Sequence, residues 1–145
     1  MGVWGVKSFE NDAAMDWLKA FLQAPTEKRI LDTVCPQPTV IPPGFIGKLL
    51  GKKPETIPQE LEGDEVLAAA EVVAAMQGRP SPHNPREFQG LPSVRLSADT
   101  VRKTWQAVDS IMEDSNFKSC WQETDDFGAW MNEVKDLRRR LSGHD

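Results

Sequence analysis

At 145 residues the chain is long enough for one compact domain whose core needs no metal or disulfide. Its 39% hydrophobic and 27% charged residues are ordinary for a globular protein and argue against wholesale disorder. A net charge of −5 speaks against nucleic-acid binding, which needs a basic face, and suits a basic protein partner.

The opening stretch, residues 1–14, reads as a folded anchor. Trp4 and Phe9 are expected to press onto the core, with Gly2 and Gly5 letting the chain turn beneath them. A surface recognition role for Trp4 is the competing reading. The first helix is expected over 11–22, with Asn11 as N-cap and Asp12 near the positive end of the helix dipole. Ala13, Ala14, Trp17, Leu18, Phe21 and Leu22 form its apolar stripe, and Asp12, Asp16, Lys19 and Gln23 its wet face. A shorter helix follows over 26–34, capped by Thr26, with Ile30, Leu31 and Val34 apolar.

Prolines 36, 38, 42, 43, 54 and 58 then forbid regular helix, so 35–60 reads as a long Pro-rich loop or insertion. Within it, Thr39–Ile41 suits an extended segment and Gly44–Leu50 one or two amphipathic turns. The third helix, 64–77, is alanine-rich, with Gly78 placed for a left-handed cap and Pro80 beyond it. Val66, Leu67, Ala70, Val73 and Ala74 mark its inner side, Ala68 joins Asp64 on a polar face, and Glu71 falls on the flank. Residues 79–96 are expected to be loop. A fourth helix starts after the N-cap Ser97, with Val101, Trp105, Val108, Ile111 and Met112 inward. A short helix over 117–123 turns Phe117, Cys120 and Trp121 inward. The last helix, from about 124, buries Phe127, Trp130, Met131, Val134, Leu137 and Leu141, while Arg138–Arg140 complement its negative end. There is no repeat and no strong alternating strand pattern. The expected architecture is all-α: a single-domain irregular bundle of about five helices.

Little in the sequence carries chemistry. His83 and His144 stand in no metal spacing, so no cofactor or metal is expected. Cys35 and Cys120 are far apart and read as free thiols, with neither in a nucleophilic setting. Gly44, Gly47 and Gly51 with Lys48, Lys52 and Lys53 fit no phosphate-binding glycine pattern. Glu71 is the most telling carboxylate. Set in a run of Ala and Val, it must find a donor if buried: the indole of Trp4 or Trp17, an N-terminal amide, or an arginine. The favoured reading is a latch between the N-terminal anchor and the middle of the fold.

Three motifs carry a resemblance. They are Gly2-x-Trp4-Gly5 followed by Phe9-x-Asn11-Asp12-x-Ala14-x-Asp16-Trp17, then Val66 to Pro80, and then Trp121, Phe127, Trp130, Asp136, Leu137, Arg138 and Leu141. Together they resemble a family of small bacterial proteins catalogued as domain of unknown function 4259. The resemblance implies a shared helical fold and carries over no catalytic residue. The stretch from Cys35 to Pro58 departs from the family pattern.

The function expected is a protein-binding module of immunity or antitoxin type, with Phe45, Ile46, Leu49 and Leu50 presented by the Pro-rich loop. A metal or small-ligand site, enzymatic or not, using Asp12, Asp16 and Glu71 is the first alternative, and an architectural homo-oligomer the second. Candidate binding residues are therefore Trp4, Asp12, Asp16, Phe45, Leu49 and Glu71. No signal-peptide pattern and no apolar run long enough to span a bilayer is found, so a soluble, cytoplasmic protein is expected.

Overall fold

The computed structural model describes residues 5, 7–36, 39–41, 55–57, 61–113 and 116–142. Trp4, Phe45 and Leu49 lie outside the described residues, and so does the expected turn over 44–50. The architecture is all-α, as the periodicity predicts. The helices are α1 (Asp12–Gln23), α2 (Glu27–Val34), α3 (Gly63–Met76), α4 (Ala98–Glu113), α5 (Asn116–Gln122) and α6 (Phe127–Ser142). The extended segment expected at 39–41 is present, but its pairing with a second strand and a 3-10 turn were not foreseen. Strand β1 (Thr39–Ile41), at the expected extended segment, pairs antiparallel with β2 (Glu55–Ile57). A 3-10 turn (Arg86–Gly90) interrupts the 79–96 loop.

Local chemistry sets the helix ends. Asn11 Oδ1 accepts from the Ala14 amide at 2.7 Å, Thr26 Oγ1 from the Arg29 amide at 3.3 Å, and Ser97 Oγ from the Thr100 amide at 3.2 Å. At the other end of α3, Gly78 has φ +82. Its amide bonds Ala75 O at 3.0 Å and the Arg79 amide bonds Ala74 O at 2.9 Å, the paired reverse bonds of a Schellman cap.

Helix α3 is the hub. It packs against α1, α2, α4 and α6, while α4 also contacts α2, α5 and α6. Every residue from Val66 to Ala74 is buried, so the polar face expected around Ala68 does not exist. Alanine allows this, because small side chains let neighbours close in from all sides, and an apolar helix without a wet face belongs in the centre. The α1 stripe is narrower than expected: Ala14, Trp17, Leu18 and Phe21 are buried, Ala13 is exposed, and Asp12 and Asp16 face water.

Helix α4 is rotated from its expected face. Thr100 and Thr104 are buried with Ala107, Val108 and Ile111, while Val101, Trp105 and Met112 are half-buried. The threonines can go inside because their hydroxyls are satisfied: Thr104 Oγ1 donates to Thr100 O at 2.8 Å, and Thr100 Oγ1 lies 3.0 Å from Ser97 Oγ. Phe9 is buried as expected and meets Phe88 edge-on at 5.1 Å.

Candidate functional site

Glu71 is 3% exposed, near the middle of α3. Its donor comes from the far end of the chain. Arg140, on the last turns of α6, reaches Glu71 Oε1 through Nη2 at 2.7 Å and Oε2 through Nη1 at 3.5 Å. The Asn84 amide, oriented to satisfy both neighbours, donates to Glu71 Oε2 at 3.1 Å and accepts from the Ser81 amide at 3.3 Å. Arg140 is 15% exposed and also binds Asp136 through Nε at 3.0 Å. Arg79 and Arg140 exchange guanidinium-to-carbonyl bonds, each at 3.3 Å. The cluster thus fastens α3, α6 and the 79–84 segment together.

Burial pushes the Glu71 carboxyl above its ordinary range; the Arg140 bond and charge pull it back, and Asp136 and Glu133 add to the rise. Burial also works against the charge of Arg140, but Glu71 and Asp136 outweigh it and hold the guanidinium above its usual value. Glu71 is therefore a latch, as expected, but between α3 and α6. The Trp17 indole, one of the proposed donors, bonds Thr33 Oγ1 at 2.8 Å instead.

The carboxylate triad does not assemble. Asp12 and Asp16 sit on the outer face of α1, and among the described residues no group of three or more His, Cys, Asp or Glu is placed to hold a metal. A polar groove of about 540 Å³ opens between α2 and the start of α3, lined by Trp17, Thr26, Arg29, Thr33, Glu62 and Glu65. Lys28 and Asp32 also line it, joined by an exposed ion pair at 3.3 Å. Beside it, burial raises the Asp64 carboxyl, and the charges of Glu62 and Glu65 raise it further.

The other notable constellation was only half legible in the sequence. At the corner between α5 and α6, Trp130 is buried and three half-buried rings surround it. Phe117 meets it edge-on at 5.7 Å, Trp121 stacks on it at 5.9 Å with the planes 10° apart, and Phe127 lies tilted at 6.0 Å. Phe117 also sits directly on Gly63, where a Cβ would come within 2.2 Å of its ring. That close approach explains glycine as the first residue of α3. Cys120, expected inside, is exposed, because so short a helix packs only one side. The turn at 123–126 folds back on Trp121: the Thr124 amide and hydroxyl bond Trp121 O at 2.9 and 2.8 Å. Glu123, Asp125 and Asp126 stand exposed on that turn.

A second aromatic pairing lies between α4 and α6. The Arg138 guanidinium sits 4.2 Å from the centre of the Trp105 ring while its Nε donates to Asp109 at 2.7 Å. No described helix is long and apolar enough to cross a membrane. A protein-family model described as Domain of unknown function (DUF4259) matches residues 2–133. No curated protein and no solved structure matches the chain.

Proposed function

The chain belongs to the DUF4259 family, and we propose that it acts as a protein-binding module rather than as a catalyst. One observation carries this reading: the half-buried aromatics at the α5–α6 corner, Phe117, Trp121 and Phe127, lie beside an exposed acidic turn. Aromatic side chains left partly open next to a charged rim are the composition of interface hot spots. The net charge of −5 favours a basic partner. In its most specific form the module masks a basic protein, in the manner of an immunity protein or antitoxin; size and charge support this form.

The test is affinity capture from the native host with the full chain, beside a variant carrying Glu123→Lys, Asp125→Lys and Asp126→Lys. A stoichiometric partner recovered by the parent and lost by the variant is expected. Recovery of no partner, or equal recovery by both, would refute the reading. Sedimentation of the purified chain tests whether the partner is a second copy.

A further inference from the structure

Resting on that reading, we propose that the α5–α6 corner recognises an arginine of a basic partner segment. The guanidinium lies on the face of Trp121 turned away from Trp130 and pairs with carboxylates of the 123–126 turn.

The sequence around this corner is acidic. Between Glu113 and Phe127 the sequence carries five carboxylates, Glu113, Asp114, Glu123, Asp125 and Asp126, against the single cation Lys118. That stretch carries a net charge of −4. Gly63, on which Phe117 rests, lies between two more carboxylates, Glu62 and Asp64. A basic segment therefore gains electrostatically by approaching this corner.

Trp121 supplies the seat. One of its faces is stacked on Trp130, and among the described residues no second ring and no guanidinium covers the other. The ring is held in place. Trp130 backs it, Phe117 is wedged on Gly63, and the Thr124 bonds to Trp121 O keep the acidic turn beside it. A pre-set platform loses little freedom on binding.

The preference for arginine over lysine follows from the same geometry. A guanidinium is planar, weakly hydrated, and can stack on indole while donating sideways to a carboxylate; a compact ammonium cannot do both. The molecule contains its own example, with Arg138 stacked on Trp105 and bonded to Asp109. A partner arginine at Trp121 would repeat that arrangement across an interface.

The experiment titrates the full chain with hexa-arginine and hexa-lysine peptides of equal charge, read by calorimetry at two salt concentrations. The arginine peptide is expected to bind about fivefold or more tighter than the lysine peptide. Trp121→Phe, which keeps a ring on Trp130, should reduce that preference, and Glu123→Gln with Asp125→Asn and Asp126→Asn should abolish binding of both peptides. Urea unfolding of each variant confirms that it is folded. Equal affinity for the two peptides, or indifference to these substitutions, would overturn the arginine assignment while leaving the captured partner of the binding-module reading intact. Failure to bind either peptide overturns it too, and absence of any captured partner brings down the broader reading separately. Self-association removed by Trp121→Phe would give the face to a second copy and likewise overturn the proposal.

Discussion

Substituting Arg140 by methionine isolates the energetics of the buried latch. The substitution removes the only cation bonded to Glu71 among the described residues and leaves a carboxylate that is 3% exposed. Asn84 can still donate one bond, but it cannot offset a full charge. Breaking one side of such a pair costs about 3–5 kcal/mol. Glu71→Gln is expected to cost far less. Burial already pushes the Glu71 carboxyl upward, so a neutral side chain of the same shape loses little, and Arg140 keeps Asp136 at 3.0 Å. The two substitutions together should recover most of the stability lost in Arg140→Met.

The pH dependence fixes the sign. A carboxyl raised in the folded state binds its proton more tightly there than in the unfolded chain. Its contribution to stability is full below the ordinary glutamate value of 4.5 and is lost as pH rises through the folded value. In Arg140→Met both lowering influences of the guanidinium disappear, while Asp136 and Glu133 still raise the carboxyl, so the window extends further upward. Urea unfolding midpoints at pH 5 and pH 7.5 provide the assay. The deficit of Arg140→Met should shrink at the lower pH, and Glu71→Gln should remove that pH dependence. A deficit that is equal at both pH values, or that Glu71→Gln fails to relieve, would refute the reasoning.

Other substitutions test the packing. Gly63→Ala should destabilise by about 1–3 kcal/mol, because the new methyl overlaps the Phe117 ring and must push it aside; altered tryptophan emission at the α5–α6 corner would report the shift. Gly78→Ala should cost about 1 kcal/mol, since φ +82 is strained for alanine although the space is open, and Gly78→Asn should cost less. Thr33→Val leaves the Trp17 indole without its 2.8 Å acceptor and should lower stability by about 1–2 kcal/mol, measured as a drop in urea midpoint at unchanged slope.

The features legible in the sequence were those decided within one turn of the chain. Asn11, Thr26, Ser97 and Gly78 each make their capping bond to a group three residues away, so residue type and spacing were enough to place them. What depends on distant neighbours was not legible. An alanine run has weak periodicity, so nothing local showed that α3 is enclosed on every side. Glu71 was recognisable as a buried carboxylate in need of a donor, but Arg140 is 69 residues away, in a basic run that also suits a helix terminus. Thr100 and Thr104 were not among the residues expected inside, yet each spends its hydroxyl locally and goes inside. Asp12 and Asp16 were correctly put on the outer face of α1, and that placement parts them from Glu71. Gly63 did carry a signal: a glycine opening a helix without any turn requirement points to close approach by another element.

The enclosure of α3 bears directly on where this fold can bind anything. A helix walled in by α1, α2, α4 and α6 offers no free face, so its one buried charge must be neutralised from within, and Arg140 and Asn84 do that. Glu71, 3% exposed and bonded to Arg140 and Asn84, is shielded from solvent. On the proposed reading, recognition falls to elements that pack on one side only. Helix α5 is such an element: it touches α4, α6 and the start of α3, carries Trp121 half-buried, and runs into the exposed acidic turn. The same packing that encloses the centre of the bundle leaves the α5–α6 corner with half-buried rings beside exposed carboxylates.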